Sequence, residues 1–491
     1  MALSARFSPR LWSIAYLIAV TAALFALLSH RVYDDPFITY RYALNLRAGA
    51  GFVYNPGERV LSTTTPLFAI LLALLGGLWP HLPALANFIG ALSVAAGGLL
   101  FWDLGKSWGA PLVGWAGLLL YPTFPLLLST LGSETPLYLT LILTAYALYA
   151  RRKLGLAAIF ASLAILTRSD AALPAAILGI HYLWENRARL RDSGFWRAQP
   201  WGWFALAAGI LLAWHAFAWW YFGNPLPVTL AAKQAQGRMA ISEGFAPGFL
   251  RVAGWYRHNW VYWLEAAFVL GGVIFALLRA RRWLLFLLWP VAYFAAYTLL
   301  GVTRYFWYYA PLVPGWIAAV GLGLFVIGGQ QSPGGRERLS LSGRRSVVTV
   351  LLLAVLLVGQ GSALLKMSRT NDPRYPVYRA VGEYLAANTP PDASVGTLEV
   401  GMIGYFSMRP MVDFAGLLQP EVAGQMTAET TYDDTAIWAV QTYQPDYLAL
   451  IDSALPRLER GLAAEHCYTV ARFHVQENDR APAMSVLACQ W

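Results

Sequence analysis

The chain has 491 residues, of which 58% are hydrophobic and only 13% are charged. A typical soluble domain is about 25% charged, and one membrane-spanning helix needs ~20 predominantly apolar residues. Apolar runs of that kind recur, so the composition excludes a soluble globular protein and predicts a polytopic α-helical membrane protein. The net charge of +10 does not indicate nucleic-acid binding, because most of the excess lies in short loops, as the orientation of a membrane protein requires.

The first apolar run, residues 11–28, is followed by no small-residue cleavage site, so we interpret it as a retained span. The N-terminus, with Arg6 and Arg10, is then cytoplasmic. The loop after this span lies outside and holds Asp34 and Asp35. Acidic residues are scarce in this part of the chain, since only eleven of the 26 aspartates and glutamates lie in the first 365 residues. The carboxylate pair, with Arg41 close behind, indicates chemistry on an anionic substrate.

The segment from residue 64 to residue 134 starts and ends outside, so it must cross the membrane an even number of times. Three apolar runs are visible, at 64–79, 83–101 and 111–131. Either the last run splits at Pro122 and Pro125 into two short membrane helices, or one run is not a true crossing. The total is therefore eleven or thirteen spans.

Four arginine-rich loops follow, at 151–153, 187–197, 279–282 and 336–345. The positive-inside rule places all four in the cytoplasm. Spans alternate with them near 135–150, 154–167, 171–184, 201–222, 260–279, 283–300, 305–327 and 347–365. This arrangement places the turns at 131–135 and 167–171, the loop at 223–259, Arg304 and everything after Lys366 on the outer face.

The last part of the chain, residues 366–491, differs from the membrane region at 1–365. It holds fifteen acids against nine bases, and no run is long enough to span. Helix-like pieces at 377–388 and 435–442 alternate with strand-like ones at 447–451, 468–475 and 484–489. We predict a small extracytoplasmic α/β domain. The only cysteines of the chain, Cys467 and Cys489, form either a disulfide, as the outer compartment permits, or two buried thiols.

Acids and cations converge on the outer face, where soluble nucleotide donors are not available. The cytoplasmic acids lie beside arginines or a lysine, and no glycine-rich phosphate loop occurs. An enzyme of this kind would receive its activated substrate through the membrane as a lipid-linked phosphate. Histidines show no metal-ligand spacing, so we expect no cofactor, and a divalent cation is not indicated.

Glycosyl transfer needs a base for the acceptor hydroxyl, and Asp34 or Asp35 is the candidate. Asp35 precedes Pro36 and suits a helix N-cap, so we favour Asp34 as the base. The departing phosphate needs cations; the candidates are Arg41, Arg168, Lys233 and Arg304. Several candidates also have structural interpretations: Glu134 as a helix start, Arg168 with Asp170 as a paired turn, and Arg304 with Tyr305, Trp307, Tyr308 and Tyr309 as an interfacial aromatic belt.

The segment DDPFITYRYALNLRAGAGFVYNPGERVLSTTTPLF, from Asp34 to Phe68, resembles the first external loop of GT-C fold glycosyltransferases. The resemblance is closest to the bacterial branch that contains the mycobacterial terminal arabinofuranosyltransferase. Matching positions are Asp34, Asp35, Tyr40, Arg41, Tyr42, Ala43, Asn45, Gly51, Asn55, Pro56, Gly57, Glu58 and Arg59. Weaker similarities occur at 132–135, 167–171, 221–233 and 403–417, with departures at Ser133, Ser169, Ala171 and Asn224.

The resemblance implies an inverting transferase with an aspartate base and a polyprenyl-phosphate sugar donor, acting on a glycan, lipid or protein acceptor. It implies a multi-pass protein of the plasma membrane that works outside. We expect substrate contacts from Tyr40, Arg41, Asn45, Glu58, Glu134, Arg168, Asp170, Lys233, Arg304, Tyr305 and Tyr308. The alternatives are a transporter or flippase of a lipid-linked glycan and a non-catalytic cell-envelope assembly protein. Transporters place ionisable groups near the bilayer midplane, whereas here they cluster at span ends.

Overall fold

The computed structural model describes residues 8–328, 344–474 and 482–491. The sequence predictions for Arg6, Arg336, Arg338 and the end of the strand at 475 lie outside these residues. The helices of the membrane region are α1 (Pro9–Leu28), α2 (Pro36–Arg47), α3 (Pro66–Leu75), α4 (Leu82–Ser107), α5 (Pro111–Leu119), α6 (Pro125–Leu128), α7 (Thr135–Ala150), α8 (Leu154–Thr167), α9 (Ala172–Glu185), α10 (Ser193–Arg197), α11 (Trp201–Phe222), α12 (Thr229–Arg238), α13 (Phe245–Gly254), α14 (Trp260–Leu278), α15 (Arg282–Leu300), α16 (Val313–Gly328) and α17 (Arg344–Ser368).

Seven helical segments in the described ranges are long and apolar enough to cross a membrane. They are α1, α4, α11, α14, α15, the segment Phe306–Ile327 and α17. The helices α7, α8 and α9 are shorter and pack among them, and each of the predicted spans from residue 135 onward corresponds to one helical segment. The prediction of a polytopic helical membrane protein is confirmed, while the number of crossings stays a prediction.

Proline residues divide the region that the sequence left open. The run at 111–131 breaks into α5, a 3₁₀ turn at Tyr121–Thr123 and α6, with Pro122 and Pro125 at the breaks. Proline lacks the N–H that continues a helix, so it begins a new one instead. Helix α3 has ten residues and is about 15 Å long, half the hydrocarbon thickness of ~30 Å. Helix α3 packs against α2 and α8, whereas α5 packs against α4 and α16.

The last part of the chain is a small α/β domain around a five-stranded sheet. Its elements are α18 (Tyr375–Asn388), β1 (Val395–Thr397), α19 (Met402–Ser407), β2 (Met411–Asp413), α20 (Pro420–Gly424), α21 (Tyr432–Tyr443), β3 (Tyr447–Ile451), α22 (Pro456–Arg460), α23 (Leu462–His466), β4 (Cys467–Phe473) and β5 (Met484–Cys489). The strand order is β2-β1-β3-β5-β4. Strands β1, β2 and β3 are parallel, and β5 runs antiparallel to β3 and β4.

A disulfide joins the two cysteines of the chain. Cys467 and Cys489 lie directly opposite each other on β4 and β5, and their sulfurs are bonded. The disulfide interpretation is therefore correct and that of two buried thiols is wrong. The short strands β1 and β2 were missed by the sequence, because three residues are too few to show an alternating pattern.

The α/β domain shares a hydrophobic core with the first loop of the membrane region. Buried side chains of α2 and α3 pack with those of α18 and α19 in one continuous cluster. The ring of Phe37 lies 5.2 Å from the ring of Tyr405 and 5.8 Å from that of Phe406, measured between centroids. The domain is therefore docked on the loop that carries Asp34 and Asp35.

Candidate active site

A polar cavity of about 340 Å³ lies at the end of the helical bundle that faces the α/β domain. Its wall is built by the start of α2, the loop before α3, the start of α7, the turn between α8 and α9, α12, the end of α15 and the segment before α16. Leu417 of the α/β domain completes it. Six of the catalytic or substrate-contact residues predicted from the sequence line it: Asp35, Glu134, Arg168, Asp170, Lys233 and Tyr308.

Asp35 stands at the first turn of α2 with its carboxylate toward the cavity. The residue occupies the N-cap position before Pro36, yet its side chain makes no capping hydrogen bond. The expectation that Asp35 caps the helix is therefore wrong. Among the described residues its carboxylate has no hydrogen-bond donor. Burial raises the pKa of Asp35, and the positive charges of Lys233 and Arg168 partly oppose that rise.

Lys233 supplies the free cation of the cavity. It lies on α12, is 5% exposed, and its Nζ sits 3.9 Å from the centre of the Tyr305 ring. In the described part of the chain it has neither a hydrogen bond nor an ion pair. A buried ammonium without an anionic partner is costly. The ring offsets part of that cost through its negative face, and an anion entering the cavity would offset more.

Arg168 has four of its five N–H donors already engaged by protein groups. Its Nη1 donates to Glu134 at 3.0 Å, and its Nη2 donates to Asp170 at 2.7 Å and to the Tyr297 hydroxyl at 2.9 Å. The Tyr297 hydroxyl in turn donates to Asp170 at 2.6 Å. Two carboxylates thus surround one guanidinium, so the group carries no net positive charge to offer a phosphate. Arg168 orients Glu134 and Asp170 at the cavity wall.

Asp34 points away from the cavity, although it is the neighbour of Asp35. Its carboxylate accepts the backbone N–H of Met402 at 2.7 Å and that of Gly401 at 3.0 Å. These two N–H groups belong to the start of α19 in the α/β domain. Burial, and next the nearby Glu399, raise the pKa of Asp34. The Asp34 carboxylate thus contacts the α/β domain and does not line the cavity, although the sequence favoured it as the base.

Other first-loop residues also hold the α/β domain or the loop itself. Arg41 is fully buried and donates to the carbonyl oxygens of Tyr54, Gly404 and Arg409 at 3.0, 2.6 and 2.6 Å. Asn55 exchanges two 2.9 Å hydrogen bonds with the backbone of Met411 and so extends the edge of β2. Neither residue is among those that line the cavity.

The remaining predicted residues of this loop have local partners. The Tyr40 hydroxyl donates to the carbonyl oxygen of Gly132. Asn45 donates to the carbonyl oxygens of Val53 and Tyr54 at 3.0 and 2.7 Å. Glu58 accepts from the Asn55 amide at 3.0 Å. Tyr40, Arg41, Asn45 and Glu58 thus make contacts within the protein, and their substrate contacts stay a prediction.

Arg304 lies outside the cavity wall and pairs with Glu243 at 2.9 Å, a carboxylate it shares with Arg251. Tyr305 contributes the ring beneath Lys233, and its hydroxyl donates to Gln236 at 3.1 Å. Tyr308 lines the cavity itself. Of the predicted site residues Asp34, Asp35, Glu134, Arg168 and Arg304, the cavity wall contains Asp35, Glu134 and Arg168.

Sequence reasoning missed a group of hydroxyl side chains on the cavity wall. They are Thr39, Ser62, Thr63, Thr64, Thr65 and Thr229. The signal was present as the run STTT at 62–65, inside the first-loop motif. Tyr297 was missed as well, because nothing near it in the sequence marks it out from the other apolar positions of α15. Among the described residues, no group of three or more His, Cys, Asp or Glu side chains is arranged to hold a metal ion.

Comparisons with known proteins place this arrangement in a known fold. ArnT from Cupriavidus metallidurans bound to undecaprenyl phosphate aligns over 98% of this chain and 98% of its own, with 15% identity and a TM-score of 0.61. Its apo state aligns over 97% of both chains, with 16% identity and a TM-score of 0.61. Arabinofuranosyltransferase AftD from Mycobacteria aligns over 98% of this chain and 40% of its own, with 14% identity and a TM-score of 0.49.

A family model described as a domain of unknown function, DUF8728, matches residues 368–487. These residues begin where α17 ends and include nearly all of the α/β domain. No curated protein matches the chain by sequence. The full-length structural match to ArnT, together with the helical bundle and its docked α/β domain, shows that the chain has the GT-C fold.

Proposed function

We propose that the chain is a glycosyltransferase that moves a sugar from a polyprenyl-phosphate donor to an acceptor hydroxyl, with Asp35 as the general base. The observation that carries the proposal is that one cavity holds two charged side chains without a hydrogen-bond or ion-pair partner in the described part of the chain. Among the described residues, the Asp35 carboxylate has no hydrogen-bond donor, and the Lys233 ammonium has no ion pair or hydrogen bond. A base and a phosphate-binding cation are the two groups that this transfer requires.

The reaction follows from these positions. The acceptor oxygen loses its proton to the Asp35 carboxylate and forms a bond to the anomeric carbon of the donor sugar. The bond between that carbon and the phosphate oxygen breaks, and its electron pair leaves with the polyprenyl phosphate. Lys233 stabilises the negative charge on the departing phosphate. A single displacement from the opposite face inverts the anomeric centre.

Glu134, Arg168 and Asp170 act as a fixed wall in this scheme. Their mutual ion pairs hold all three side chains in place, which keeps the cavity pre-organised before substrate enters. Because Arg168 is shared by two acids, we assign the phosphate to Lys233 and not to Arg168. Glu134 remains available to accept a hydrogen bond from a substrate hydroxyl.

The orientation in the membrane is part of the proposal. The cavity and the α/β domain lie at one end of the bundle, and Arg151 and Arg152 lie at the other, where they pair with Asp103 and Glu185. Arginine-rich loops favour the cytoplasm, so the cavity end faces outward. The donor would enter from the outer leaflet, as suits a lipid-linked sugar. The structure of ArnT with undecaprenyl phosphate supports the choice of such a lipid.

Binding of undecaprenyl phosphate to the full-length protein tests the proposal. Lys233→Met keeps most of the side-chain volume and removes the charge. A hydrogen bond to a charged group contributes about 1.5–3 kcal/mol, so we expect about 10- to 100-fold weaker binding. Lys366→Met, at an exposed position on α17, is the matched control and should bind normally. Equal affinity of Lys233→Met and wild type would refute the assignment of the phosphate to Lys233.

A further inference from the structure

The hydroxyl-bearing residues of the cavity form a second, uncharged face. Thr39 on α2 and the extended segment 62–65 before α3 carry most of it, and Thr229 at the start of α12 adds one more. The hydroxyl oxygens of Thr39, Thr63 and Thr65 lie within 3.1–3.5 Å of one another. We call these three residues with Ser62, Thr64 and Thr229 the hydroxyl face.

The hydroxyl face has hydrogen-bonding capacity left over. Each hydroxyl offers one donor and two acceptor lone pairs. The three hydrogen bonds among Thr39, Thr63 and Thr65 therefore use at most three of the six lone pairs of these hydroxyls. One further lone pair of Thr63 is used by the backbone N–H of Thr65. Thr64 lines the cavity and, among the described residues, its hydroxyl has no hydrogen-bond partner. The face can therefore both donate to a ligand and accept from it.

The hydroxyl face lies next to the proposed base. Thr39 follows Asp35 by four residues at the start of α2, so both side chains project from the same side of that helix. Side chains so spaced have Cβ atoms about 5–6 Å apart, which is within the span of one sugar ring. A ring held against the hydroxyl face therefore lies beside the Asp35 carboxylate.

We propose that the hydroxyl face is the binding site of the donor's sugar ring, and that the cavity selects a monosaccharide without an acidic group. This inference rests on the proposed function and names the substrate class of the same site. Sugar hydroxyls are both donors and acceptors, and rotating threonine hydroxyls match them in any orientation. A carboxylate on the sugar would lie in a cavity whose wall carries the acids Asp35, Glu134 and Asp170 and whose Lys233 binds the phosphate. Burying such a charge without a partner of opposite charge is costly.

The volume of the cavity agrees with a single sugar. At about 340 Å³ it stands at the lower end of the ~300–1,000 Å³ typical of small-molecule sites. The wall carries the phosphate-binding Lys233 as well, so a monosaccharide with its phosphate fills the space. The polyprenyl chain must then lie outside this cavity.

The experiment measures the affinity of the full-length protein for undecaprenyl phosphate alone and for the same lipid carrying arabinose, mannose or glucuronic acid. We expect the arabinose or the mannose lipid to bind more tightly than the lipid that carries glucuronic acid. Thr64→Val removes the free hydroxyl while nearly keeping the shape. It should weaken binding of the neutral sugar lipid about 2- to 10-fold, the usual effect of one hydrogen bond, and leave undecaprenyl phosphate unaffected.

Two controls separate the outcomes. Thr64→Ser keeps the hydroxyl and should bind like wild type, whereas Thr144→Val removes a hydroxyl that bonds only to its own helix, at Thr140, and should change nothing. Preferential binding of the glucuronic acid lipid, or an equal effect of Thr64→Val on lipids with and without sugar, would overturn this inference alone. Failure of the wild type to bind undecaprenyl phosphate would overturn the proposed function and, with it, this inference.

Discussion

Replacement of each aspartate of the Asp34–Asp35 pair by asparagine separates catalysis from docking. Asp35→Asn keeps the shape of the side chain and removes the base. Its carboxylate has no hydrogen bond among the described residues, so the amide loses no protein contact and thermal stability should be unchanged. Loss of a general base costs about 100- to 10,000-fold in rate, which corresponds to about 3–5 kcal/mol of transition-state free energy.

Asp34→Asn should behave in the opposite way. The carboxylate accepts one N–H on each oxygen, from Met402 and Gly401. An amide offers a single acceptor oxygen and turns its own donor toward the second N–H. One charge-assisted hydrogen bond is lost, at about 1.5–3 kcal/mol. The variant should melt at lower temperature because the α/β domain docks less tightly, while the rate falls much less than in Asp35→Asn.

The assay is transfer of sugar from a polyprenyl-phosphate donor, followed as a function of pH, with thermal unfolding measured in parallel. The base must be ionised, so the rate falls as the pH drops through its pKa. Burial raises the pKa of Asp35, so this acid limb should lie above the ordinary aspartate value of 3.8. The limb should persist in Asp34→Asn. A near-normal rate for Asp35→Asn at unchanged stability, or loss of the acid limb only in Asp34→Asn, would refute the assignment of Asp35 as the base.

Three further predictions concern the α/β domain. Gly401→Ala should lower both thermal stability and transfer, since a Cβ at that position would collide with the side chain and the carbonyl oxygen of Asp34. Gly424→Ala is the control and should be neutral, because a Cβ there meets nothing within 4 Å. Equal behaviour of the two variants would contradict the docking role of Asp34. A cysteine at the exposed position Ser453, in a background with both native cysteines replaced by serine, should react with a membrane-impermeant reagent in intact cells; labelling only after lysis would reverse the proposed orientation. Replacing Cys467 and Cys489 by serine should destabilise the domain by about 3 kcal/mol, because the disulfide closes a loop between residues 22 positions apart and loop closure of that length stabilises by about this amount. An unchanged melting temperature would show that the disulfide contributes nothing.

The sequence by itself determined the architecture of both parts. Apolar runs and prolines predicted the helices, and the bounds of α7, α8 and α11 agree with the predicted spans. The strands at 447–451 and 484–489 were likewise located from the sequence. These features are local, because the length of an apolar run and the missing N–H of proline act within a few residues. The same local reasoning located the first-loop acids, the turn at Arg168 and the lysine of α12.

Only the tertiary structure decided which of these polar groups share the cavity. Sequence reasoning expected Asp35 to cap α2 and left Asp34 free, because proline at the next position is a local helix signal. The carboxylate of Asp34 instead binds backbone N–H groups that lie 367 and 368 positions away. Arg41 likewise satisfies carbonyl oxygens of a domain more than 360 residues distant. Such pairings depend on how two folded parts dock, and neighbouring residues carry no information about a partner that only the folded chain brings near.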